Sequence, residues 1–74
     1  MMQQRPFDLL NKVLGQMILI RLKGGTVIRG KLSSFDAHMN LVLDDAEELD
    51  GGELKTKIGT VLLRGGNIIY VSPA

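Results

Sequence analysis

Apolar positions change period once along the chain. Behind Pro6, whose fixed φ suits the first position of a helix, Phe7, Leu10 and Leu14 recur at helical spacing. Asp8 falls in the first turn and Lys12 near the last, the order that complements a helix dipole, and Gly15 supplies a left-handed stop. The pattern predicts a short amphipathic helix over about residues 6–14.

From Gln16 onward the period shortens to that of strands. Runs rich in Ile, Val, Leu and Thr are separated by the pairs Gly24-Gly25, Gly51-Gly52 and Gly65-Gly66, which mark turns or loops. Strands are predicted near Gln16–Lys23, Thr26–Phe35, Asn40–Glu48, Glu53–Leu63 and Asn67–Ser72. Short loops favour antiparallel hairpins between successive strands, and five strands in so short a chain predict one bent sheet or small barrel, a mainly β fold. Gly30 is the expected bend point of the second strand.

Several of these strands are apolar on both faces. Ile18, Ile20 and Leu22 alternate with Met17 and Leu19, and Ile68 and Tyr70 alternate with Ile69 and Val71. One small sheet cannot cover both faces, and the fourth and fifth strands would be edges with little protective charge. Pairing between subunits removes that liability, and such a head-to-tail contact yields a closed ring or an open filament. The alternative is an unusually complete monomer core. A chain of 74 residues buries only about 60% of its unfolded surface, which favours the oligomer.

Composition then narrows the chemistry. There is one His and no Cys or Trp, and the formal net charge is +1. Disulfides, thiolate metal sites and Cys nucleophiles are excluded, and a reducing, cytoplasmic setting fits. The longest apolar run, Met17-Ile18-Leu19-Ile20, is far short of the ~20 residues that cross a bilayer. The polar start Met1–Pro6 has no apolar signal core, so secretion is not expected. With no phosphate-loop signature and no clustered metal ligands, neither an enzyme nor a cofactor or metal site is expected. Near-neutral charge gives no general footprint for nucleic acid, so any such affinity must come from a local cluster.

Two stretches carry the candidate residues. The first runs from Lys23-Gly24-Gly25-Thr26 through Gly30-Lys31-Leu32 to Phe35-Asp36-Ala37-His38-Met39-Asn40-Leu41-Val42-Leu43. The second is Ile58-Gly59-Thr60-Val61-Leu62-Leu63-Arg64-Gly65-Gly66-Asn67-Ile68. Together they resemble the bipartite signature of the Sm-like (LSm) family, archaeal type, with the first motif over about 16–48 and the second over about 54–72 of a single domain, 1–74. The resemblance implies an N-terminal helix on a strongly bent five-stranded antiparallel sheet, with subunits joined into a ring, heptameric in archaeal members, through their fourth and fifth strands. It implies that the loops Asp36–Asn40 and Arg64–Asn67, Gly65 and Gly66 included, face a central pore and hold single-stranded, uridine-rich RNA. The bacterial Hfq-like hexamer fits less well, because its Tyr-Lys-His stretch is replaced here by Leu63-Arg64-Gly65.

The residue types suit that role. Single-stranded RNA is read by stacking unpaired bases on flat groups and hydrogen-bonding their edges. His38 and Arg64 offer two flat groups, and Arg64 adds charge for phosphate. Asn40 carries a donor and an acceptor on one amide and can meet the uracil N3–H and a neighbouring carbonyl together. Asp36 is expected to accept from Asn40 or a loop N–H and fix that amide. Met39, of opposite parity in an extended segment, is expected to point into the core. Taken singly, each has an ordinary explanation: a solvated loop His, a turn Asp, a capping Asn, a surface Arg.

Many archaeal relatives carry an acidic residue where this chain has Gly66, so one base or ribose contact and a partner for Arg64 are missing; a flexible turn would also explain the glycine. The acidic stretch Asp44–Asp50 reads as a solvated strand end and loop, faced across a hairpin by Lys55 and Lys57. Two functions follow: a ring that holds uridine-rich RNA as a scaffold or chaperone in RNA processing, or a ring that assembles proteins with RNA incidental.

Overall fold

We describe the protein from a computed structural model, in which residues 5–74 are described; the lead-in residues 1–4 lie outside them. A helix, α1 (Pro6–Val13), is followed by β1 (Met17–Leu22), β2 (Val27–Phe35), β3 (Leu41–Asp50), β4 (Glu53–Leu63), a one-turn 3₁₀ helix (Gly65–Asn67) and β5 (Ile68–Pro73). The strands form one antiparallel sheet in the order β4-β3-β2-β1-β5.

α1 starts at Pro6, and the Asp8 carboxylate accepts the N–H of Arg5 at 3.4 Å. It ends one residue earlier than expected, and Gly15 takes the left-handed conformation at φ 82°. The buried face is Leu10 and Val13, while Phe7 stacks against Phe35 with ring centroids 5.6 Å apart. Leu14, counted on the apolar face from sequence, lies past the helix and is 45% exposed, because the chain has already turned towards β1.

The expected bend is at Gly30. A Cβ there would lie 3.1 Å from Leu43 Cβ and 3.2 Å from Ala46 Cα, so only glycine lets β3 cross so closely. The β2–β3 register shifts at the same place, between Arg29 and Lys31, and the β3–β4 register shifts between Leu43 and Ala46. There Asp45 and Gly59 take positive φ, 52° and 90°. Such bulges bend and twist a sheet.

One step departs from the hairpin expectation. β4 and β5 follow each other through four residues yet lie on opposite edges of the sheet. In a flat sheet those edges would be about 19 Å apart, four gaps of about 4.8 Å. A connection that is mostly 3₁₀, rising about 2.0 Å per residue, cannot span that. The sheet must therefore curl until its edges approach. Inside the curl sit Ile18, Ile20, Ile28, Leu32, Leu41, Leu43, Ala46 and Leu63, with Leu10 and Val13 from α1.

β3 is longer than expected. Asp44–Asp50 belongs to the strand, with the turn at Gly51-Gly52. Lys55 does face it, 3.4 Å from Glu48, whereas Glu47, opposite Lys57, takes Arg29 as its ion partner at 3.0 Å. The exposed Lys55–Glu48 pair is worth less than about 1 kcal/mol. Among the described residues no helix is long and apolar enough to cross a membrane.

Candidate nucleic-acid interface

The segment 36–40 is a tight turn. Met39 N–H donates to the Asp36 carbonyl at 3.0 Å, and Asp36 N–H to the Asn40 carbonyl at 3.2 Å. One carboxylate oxygen of Asp36 accepts the N–H groups of His38 (2.9 Å) and Asn40 (3.1 Å), and the other accepts the Asn40 side-chain amide at 3.1 Å. These bonds, with the Asn40 amide the largest cause and the charge of His38 adding to them, hold the Asp36 carboxyl below the usual aspartate range.

Met39 does pack against the core. The reason differs from strand parity: at φ 64° it is the left-handed residue of the turn, and the reversal carries its side chain inward. Its neighbours His38 and Asn40 are left on the outer side.

The second loop locks onto the first. Gly65 N–H donates to Asn40 Oδ1 at 2.9 Å, so Asn40 joins two loops that are 25 residues apart in the chain. The approach demands glycine, because a Cβ on Gly65 would collide with the His38 carbonyl and lie 2.9 Å from that of Met39. Gly66 differs: its φ lies outside the left-handed region, and no atom of the described residues is within 4 Å of the place its Cβ would occupy. Neither turn geometry nor packing requires glycine there.

Around this lock lies a polar recess of about 550 Å³, lined by His38, Asn40, Arg64, Gly66 and Asn67. Of the six residues singled out from sequence, four line it. Asp36 sits behind as the anchor of the turn, and Gly65 forms the junction. Asn67 was part of the motif but was not singled out; its carbonyl accepts Lys23 N–H at 2.8 Å, leaving its side chain at the recess. Among the described residues that line the recess Arg64 brings the formal positive charge, and the Asp36 carboxylate lies behind it on the Asn40 amide. Asn40 has already used one N–H and one lone pair on the protein, and one of each remains for a ligand.

The LSM domain family matches residues 8–73. The chain belongs to the LSm family. An Sm-like protein of Methanococcoides burtonii is 54% identical over 72 residues, covering 97% of this chain and all of that relative. Among solved structures, the Sm protein of Pyrococcus abyssii in complex with a uridine heptamer superposes with a TM-score of 0.90 at 38% identity, covering 96% of this chain and all of that one. The SmAP1 heptamer of P. aerophilum superposes with a TM-score of 0.88 at 38% identity, covering 99% of this chain and 97% of that one. The helix and curled five-stranded sheet are thus the LSm fold over nearly the whole chain.

Proposed function

We propose that this LSm chain assembles head to tail into a closed ring, a heptamer, through β4 of one copy and β5 of the next. The ring presents one His38–Asn40–Arg64 recess per subunit to single-stranded, uridine-rich RNA and acts as a scaffold or chaperone in RNA processing in the cytoplasm. The observation that carries the reading is the Asn40–Gly65 bond, which draws two distant loops around one polar recess that holds Arg64. The uridine heptamer bound to the Pyrococcus abyssii Sm protein and the heptameric state of P. aerophilum SmAP1 support both halves.

A base entering the recess stacks on His38 or Arg64, while Asn40 offers its remaining N–H and lone pair to the edge; that pairing complements uracil, with its N3–H flanked by carbonyls. Arg64 meets phosphate. Each subunit binds weakly, and the linked contacts of one strand add effective concentration. The role is binding rather than catalysis. No observation favours the protein-assembly reading.

Filter binding tests this. Asn40→Ala and Arg64→Ala should each weaken oligo-U binding by at least about fivefold, since a base contact is worth about 1–3 kcal/mol. Unchanged affinity in both would sink the assignment.

A further inference from the structure

Behind the recess, across the wall formed by the two locked loops, lies an apolar groove. Leu9 and Leu10 of α1, Met39 and Gly65 of the wall, and Tyr70 and Val71 of β5 line it. It holds about 310 Å³, roughly twice the about 150 Å³ in which a dry apolar cavity accommodates benzene. Leu9 and Tyr70 remain 37% and 50% exposed, so the described residues of the chain leave the groove open. The other edge of the sheet carries a complement. Leu62 on β4 is 63% exposed, the most exposed large apolar side chain among the described residues. Among the described residues β4 pairs only with β3 and β5 only with β1, so each has a free row of backbone donors and acceptors there.

We propose that the groove between α1 and β5 seats Leu62 of a second copy, and that this side chain braces the wall on whose other side the recess lies. The inference rests on the ring reading above and adds two things to it: α1 is part of the subunit contact, and the contact sets the recess. The groove borders the free β5 edge directly, so one neighbouring β4 can satisfy the backbone and fill the groove together. Any other occupant would leave Leu62 and the β4 edge uncovered.

The bracing follows from how thin the wall is. Met39 and Gly65 face the groove, while their chain neighbours His38, Asn40, Arg64 and Gly66 face the recess. Met39 is a β-turn residue at positive φ, a conformation that persists only where surroundings hold it. Gly65 carries the N–H that fixes the Asn40 amide. A leucine pressed against both from behind holds the base-facing groups in place.

The test uses Leu62→Asp, which spoils the knob and keeps the groove, and Leu9→Glu, which does the reverse, with Met17→Glu on the exposed face of β1 as control. Native mass spectrometry gives the assembly state, circular dichroism the sheet content, and NMR titration the affinity for uridine monophosphate, which a single recess binds without avidity. Met17→Glu should remain a ring. Leu62→Asp and Leu9→Glu should each leave the ring state, and an equimolar mixture should yield a one-to-one heterodimer, because one intact knob then meets one intact groove; the mixture also restores sheet content if either variant alone unfolds. Rings formed by both variants alone, or no heterodimer on mixing, overturn the seat. The dispersed variants should bind uridine monophosphate at least about fivefold more weakly, the low end of ordinary site coupling, although His38, Asn40 and Arg64 are unaltered; unchanged affinity overturns the bracing. Failure of the ring reading is separate, since the unsubstituted protein would then show no ring at all.

Discussion

Asn40 joins the two loops: its amide donates to Asp36 and accepts from Gly65, and what remains faces the recess. The residue types at positions 36, 38, 40 and 64 were readable as candidates, but their convergence was not, since no local rule brings residue 65 to residue 40. The contrast between the adjacent glycines tests this geometry. Gly65→Ala should destabilise the protein by about 1–3 kcal/mol, because the added methyl overlaps two carbonyl oxygens. Gly66→Ala, with open space and ordinary φ, should stay within about 0.5 kcal/mol in the same denaturant titration at equal protein concentration. Equal costs would mean the loops do not meet as described. Asp36 gives a pH test. Its carboxyl is lowered on folding, so its stabilising effect on the turn is complete above the unfolded pKa, near about 3.9, and is lost as pH falls through the lower folded value. The backbone and side-chain amide shifts of Asn40 should titrate with a midpoint below about 3.9; a midpoint above that would contradict the hydrogen bonding described.

The strands themselves were legible, because alternating apolar residues between glycine pairs leave few other readings, and each predicted strand lies within one or two residues of the observed one. Two element-scale features were not. The four-residue link from β4 to β5 looks like a hairpin until the sheet's curl is known, and that curl depends on bulges at Asp45 and Gly59 whose conformation only long-range pairing dictates. Strand parity points Met39 inward, whereas in the structure a turn does it. Gly30, by contrast, was identified as the bend from its place inside a strand alone. Replacing it should show why it is there. Gly30→Val puts its Cβ about where Leu43 and Ala46 already sit and should cost about 1–3 kcal/mol in thermal or denaturant unfolding, with β-sheet content retained in the survivors. A neutral effect would show that β3 does not cross so closely.

At the scale of the molecule, two sheet edges are left open at opposite ends of the strand order, each with exposed apolar side chains: Leu62 on β4, Ile69 and Tyr70 on β5. The small core and these edges are what make subunit pairing legible in the sequence, while the size of the proposed ring rests on resemblance and not on any residue. In the proposed ring, RNA affinity would belong to the assembly, since one recess offers about one base's worth of stacking, about 1–3 kcal/mol. Native mass spectrometry of the protein with and without oligo-U measures ring and ligand together. The expected result is a closed ring, a heptamer, that retains an oligo-U strand at a salt concentration where oligo-A of the same length is lost. A protein that stays monomeric at every concentration, or a ring that retains oligo-A as well as oligo-U, would contradict it.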